Sequence, residues 1–154
     1  MPQPPAPPSR IAAPDGGTEY VLRPGLYALH GGGPGGGAPL LELPADGVRV
    51  FEGEAPAGDP SVGPVYALGG GSLAVPTGRV LVRFAEGADA AARAAELERA
   101  GFAVAEVLSY APNAAWVTPA TRQVGDALRG IAALRAVPGV ENVEPQWLMA
   151  RASR

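Results

Sequence analysis

His30 is the only histidine in this chain of 154 residues, and so the only side chain whose ordinary pKa lies near neutrality. It stands beside Gly31 to Gly37, GGGPGGG, with no nearby partner. Nucleophilic catalysis needs a base that a second group orients, so His30 alone does not make a catalytic centre. Cysteine is absent, which excludes disulfides, thiolate metal sites and cysteine nucleophiles. A single histidine also excludes a multi-histidine metal site. The Gly-rich stretch lacks the Gly-Lys-Ser/Thr of a phosphate loop, since every basic residue is arginine, and Ala38-Pro39 and a strand pattern follow it. It reads as a flexible linker. Glu96 and Glu98 fall on different sides of a predicted helix and form no acid/base pair. The sequence predicts no enzyme, no catalytic residue, no metal and no cofactor.

The remaining chemistry is recognition, and composition shows where to look for it. Residues 1–77 carry three arginines against seven acids, with 16 Gly and 14 Pro. Residues 78–154 carry nine arginines against eight acids, with 6 Gly and 4 Pro. This shift places a boundary at Val75-Pro76-Thr77-Gly78. The net charge of −3 gives no electrostatic case for nucleic acid. No apolar run approaches the roughly 18 residues a membrane helix requires. The opening MPQPPAPPSR has neither the basic start nor the apolar core of a secretory signal. A cytoplasmic location is the expectation.

Three segments follow. Residues 1–17 form a Pro-rich leader expected to be mobile, because it has too little apolar surface to offset ordering entropy. Residues 18–77 read as a β-rich region with short strands. TEYVLR and LYALH flank Pro24-Gly25 and predict a hairpin; PLLEL and VRVFE around Pro44 to Gly47 predict a second; VYAL and SLAV around Gly69 to Gly71 predict a third. Residues 78–154 read as strand, helix, strand, strand, helix, strand. Val80, Val82 and Phe84 alternate with Arg79, Leu81 and Arg83, so the former face the helices and Leu81 faces away. Asp89 is the expected cap of a helix over 90–100 that stops at Gly101. In that helix Ala90, Ala94 and Leu97 form the apolar face, with Glu98 inside it. Phe102 to Ser109 and Ala114 to Thr118 are the next strands, with a turn over 110–113. Thr121 is the expected cap of a helix whose stripe is Val124, Leu128, Ile131 and Leu134, ended by Pro138-Gly139. Val140 to Met149 is the last strand. The fold class predicted is α+β, a ferredoxin-like βαββαβ with a four-stranded antiparallel sheet and two helices, preceded by a small β-rich region.

Within 78–154, GRVLVRFAEGAD followed by a helix and Gly-Phe resembles the opening of the propeptide domain of subtilisin-like serine proteases. NAAWVT at Asn113 to Thr118 is similar to that family's third strand, and ALRAVPGVENVEPQWLMA at Ala133 to Ala150 to its closing pattern. The resemblance implies an inhibitor of a subtilisin-like protease that can also assist its folding. The open sheet face would dock on surface helices of the protease, and the C-terminal tail would lie in the substrate cleft. It implies that Glu144, with Glu141 as alternative, caps a protease helix, and that Met149, Ala150, Arg151 and Ala152 lie near the substrate pockets, in a register that could extend to Ser153 and Arg154. Leu81 belongs to the docking face, and Trp116 and Trp147 are candidate aromatic anchors, since interfaces favour Trp at hot spots. The chain stops at Arg154 with no protease domain following. That points to a stand-alone inhibitor and chaperone, or to a processed or truncated precursor fragment.

A ferredoxin-like regulatory module that binds a small molecule at a dimer interface is the alternative. A nucleic-acid module of this topology ranks third, because it needs aromatics on the central strands and a basic face.

Overall fold

The computed structural model describes residues 7–12, 18–31, 38–54, 61–69 and 71–149. They form an α+β structure with two antiparallel sheets and three short α-helices. The chain divides between Pro76 and Thr77 into two compact units, and the strand end from Trp147 groups with the first.

In the first unit β1 (Arg10–Ala12), β2 (Glu19–Leu22), β7 (Tyr66–Ala67) and the start of β8 (Leu73–Phe84) lie in that order in one sheet. A second sheet has β4 (Leu41–Leu43), β5 (Val48–Glu52), β3 (Leu26–His30) and β6 (Val62–Gly63) in that order. The expected hairpin around Pro24-Gly25 does not form. β2 pairs with β1 and β7, whereas β3 pairs with β5 and β6. The reason lies in β3, where Tyr27, Ala28 and Leu29 are all buried. Ala28 joins a cluster with Val48, Val50, Val65 and Val75, while Tyr27 and Leu29 join Phe51. A strand buried on both faces is a central strand and takes a neighbour along each edge. The other two hairpins are present, with Leu41 opposite Val50 and Tyr66 opposite Ala74. Gly47 turns the first of these at φ +66°, where a side chain would be strained.

The leader also departs from expectation where it is described. Ile11 is buried and lies opposite Tyr20, the Leu22 N–H donates to the Ser9 carbonyl (2.8 Å), and the Tyr66 hydroxyl donates to the Pro8 carbonyl (2.6 Å). The buried Ile11, its cross-strand partner and these two hydrogen bonds tie Arg10–Ala12 into the sheet. The remainder of the leader, apart from residues 7–9, lies outside the described residues.

The second unit spans Thr77–Gln146. Its sheet order is β11 (Val140–Met149), β8, β10 (Ala111–Pro119), β9 (Phe102–Leu108). One helical segment links β8 to β9 and another links β10 to β11. Val80, Val82, Phe84, Ala115 and Val117 are fully buried, together with Ala90, Leu97 and Leu134 from the helical segments. The period-2 and period-3.6 stripes therefore meet as the sequence predicts.

Local details differ. The Asp89 carboxylate accepts from the Ala91 N–H (3.0 Å), but the first turn, Ala90–Arg93, is 3-10 and α1 proper is Ala94–Arg99. Such tightening is common at helix starts. Glu98 is exposed rather than packed on the sheet. The next helix is divided at Gly130 into α2 (Val124–Arg129) and α3 (Ile131–Arg135). A Cβ at Gly130 would stand 2.5 Å from the Phe102 ring, so glycine is what lets the junction approach. Thr121 is not the cap: Gln123 holds that position. Thr121 instead accepts from the Gln123 N–H (3.3 Å) and donates to Asp126 (2.6 Å), which brings the segment before α2 onto its first turn. The β9–β10 turn is Ser109-Tyr110, not 110–113, and Ala111 already faces Leu108. The residues before Ala115 are taken up in an irregularity, where the Asn113 side-chain amide donates to the Phe84 carbonyl (2.9 Å).

Candidate docking face

Alternation on β8 sends Arg79, Leu81 and Arg83 to the face opposite the helices. Leu81 lies directly across from Trp116 on β10, and Trp116 directly across from Glu106 on β9. A row of apolar, aromatic and acidic side chains thus crosses three strands. The row depends on a β-bulge, because Trp116 faces Glu106 but Val117 faces Val104, leaving Ala105 as the extra residue. Leu81 and Trp116 are both half-buried.

Arg79 organises the row. Its guanidinium lies 4.9 Å from the Trp116 ring centroid and 3.3 Å from the Glu106 carboxylate. The cation–π contact is worth about 0.5–1 kcal/mol at an exposed site. The ion pair contributes little by itself, because the Glu106 side chain is 65% exposed. Together they brace the indole against the sheet. Arg83, opposite Ala114, is exposed and has no ion-pair partner among the described residues.

Glu144 follows the buried Val143, so alternation turns it to the face opposite Val143; it is half-buried and Glu141 is exposed. Trp147 belongs to the first unit, where it stacks on Tyr20 (4.0 Å between centroids, 11° between planes) and meets Tyr66 edge-on (5.2 Å, 77°). The structure brings Leu81 and Trp116 together. Leu148 packs on the Ala28 cluster, and Met149 is exposed. The tail residues Ala150, Arg151, Ala152, Ser153 and Arg154 lie outside the described residues.

Sequence reasoning noted Arg79 only as a flank of Leu81 and missed Glu106. The alternation that exposed Leu81 also exposes Arg79, but the pairing with Glu106 depends on the register and bulge of β9.

His30 is half-buried at the end of β3. Its Nε2 has no hydrogen-bond partner among the described residues, and burial holds its pKa below the ordinary histidine value. Among the described residues no group of three His, Cys, Asp or Glu side chains could hold a metal ion, and no helix is long and apolar enough to cross a membrane. In comparison with known proteins, the chain matches no family profile, no curated protein and no solved structure.

Proposed function

We propose that the second unit is a propeptide-type inhibitor of a subtilisin-like serine protease, and a folding aid to it, that docks through the face carrying Leu81 and Trp116. The observation that carries this reading is the Leu81–Trp116 pair: two large apolar side chains side by side on a sheet face, only half-buried, and braced by Arg79. Aromatic anchors set among charges are typical of interface hot spots. The order β11, β8, β10, β9 with helical crossovers after β8 and β10 supports a ferredoxin-like βαββαβ arrangement, in which one sheet face is left without helices. The sequence likeness to subtilase propeptides over 78–154 supports the choice of partner.

Glu144 is the carboxylate offered to a protease helix N-terminus, where it would meet unpaired amides and the positive end of the helix dipole. Met149 to Arg154 supply the segment that enters the substrate cleft, adding main-chain hydrogen bonds along its wall. Trp147 is engaged by Tyr20 and Tyr66 and is left out of the docking surface.

The test is binding and inhibition of a subtilisin-like protease by the full chain and by Trp116→Ala. The reading expects wild-type inhibition, with binding by the variant weakened at least about 30-fold, the equivalent of a hot-spot loss near 2 kcal/mol. Equal binding by the variant would remove the face from the mechanism.

A further inference from the structure

A cleft of about 350 Å³ opens in the second unit, lined by Thr77, Gly78, Thr118, Pro119, Arg122 and Val124. That volume falls at the small end of ligand sites. Its one charged lining residue is Arg122.

Two observations single out Arg122. It sits at φ 63°, the only non-glycine residue with positive φ among those described. Arginine gains nothing locally there, since the left-handed region favours glycine and, after it, asparagine or aspartate. The turn holds it in place: its N–H donates to the Pro119 carbonyl (2.9 Å), and the preceding Thr121 is tied to Gln123 and Asp126. Second, its guanidinium, like that of Arg83, has no acidic partner among the described residues, and Arg122 is the arginine that lines the cleft. Asp126, on the adjoining helix, is already bonded to Thr121 and Arg129.

The other walls fit one kind of ligand. Pro119 and Val124 are buried and apolar. The Thr77 hydroxyl is occupied, donating to Gln146 (2.9 Å) and accepting from the Arg79 N–H (3.1 Å). Gly78, at φ +93°, adds no side chain to the cleft; a Cβ there would touch Val124 at 3.5 Å.

We propose that this cleft binds a small carboxylate. The Arg122 fork takes both oxygens, and a short branched apolar body rests on Pro119 and Val124. Such a carboxylate comes from a free short-chain acid or from the C-terminus of an extended peptide. The site is independent of the inhibitor reading, which uses other residues and another assay.

The full chain, labelled for NMR, is titrated with isovalerate, with N-acetyl-Ala-Val and with N-acetyl-Ala-Val amide. Saturable shifts centred on Thr118, Arg122 and Val124 are expected from at least one carboxylate and not from the amide. Response to both acids marks a free-acid site, and response to the peptide acid alone marks a C-terminus site. Arg122→Gly relaxes the backbone while removing the guanidinium, so the fold should be as stable as wild type or more so, with affinity at least about tenfold weaker. No saturable shift from either acid, shifts centred elsewhere, an equal response to the amide, or unchanged affinity in Arg122→Gly would each overturn the proposal.

Discussion

Gly130→Ala tests the packing beneath the sheet that bears Leu81 and Trp116. The position joins α2 to α3, and two effects oppose one another there. Alanine in a helix is favoured over glycine by about 0.8–1 kcal/mol. Against this, the new Cβ would lie 2.5 Å and 2.7 Å from two carbons of the Phe102 ring and 3.2 Å from the Asp126 carbonyl. Phe102 is only 2% exposed, so the ring has no solvent to swing into. Overpacking of this kind costs about 1–3 kcal/mol, and two contacts below 3 Å place it toward the upper end. The net expectation is a loss of about 1–2 kcal/mol, read as a lower urea midpoint at unchanged m. Phe102→Leu loses ring contacts but makes room, so in that background Gly130→Ala should be nearly neutral or stabilising, a coupling of at least about 1 kcal/mol between the two sites. A single variant as stable as wild type or more so, or strict additivity in the double variant, would refute the reasoning.

Three further outcomes are expected. His30 resists protonation in the folded chain because burial lowers its pKa, so the unfolded chain takes up the proton first as pH falls; stability is full above about pH 6.5, declines below it toward the folded-state pKa, and His30→Gln removes that slope in unfolding at pH 7.5 and 5.0. Arg79→Met should leave the fold within about 1 kcal/mol of wild type, because it removes only an exposed ion pair and a cation–π contact, while the proposed docking predicts a Trp116 fluorescence change on adding protease that becomes smaller or shifted in the variant as the indole loses its brace. Deleting residues 150–154 should leave docking measurable and abolish most active-site inhibition; full inhibition by the shortened chain rejects the tail mechanism.

The second unit was the more legible in sequence because its signals are local and periodic. The alternation of Val80, Val82 and Phe84 against Leu81, and the stripe Val124, Leu128, Ile131, Leu134, each state which side is buried before any partner is known. Turn chemistry was less informative. Pro24-Gly25 marks a reversal, yet β2 and β3 enter different sheets because their partners, Ile11 and Ala67 for one and Phe51 and Val62 for the other, come from elsewhere in the chain. The same limit applies to the site. Leu81 could be placed by counting along one strand, but its contact with Trp116 and the bridge from Arg79 to Glu106 depend on register and on a bulge at Ala105, which no single strand encodes. Trp147 lies beside the tail in sequence, while its stacking partner Tyr20 lies near the other end of the chain.

The central claim is tested most directly by Leu81→Glu in the full chain, measured for binding to a subtilisin-like protease whose active site is blocked, so that the tail cannot contribute. Leu81 lies on the face away from the core, and the variant should fold as wild type does. In a docked complex the new carboxylate would be buried against an apolar surface without a partner. The account predicts wild-type binding that survives active-site blockade, and at least about a 30-fold loss in Leu81→Glu. Wild-type affinity in the folded variant, or no binding by the wild-type chain at all, would contradict it.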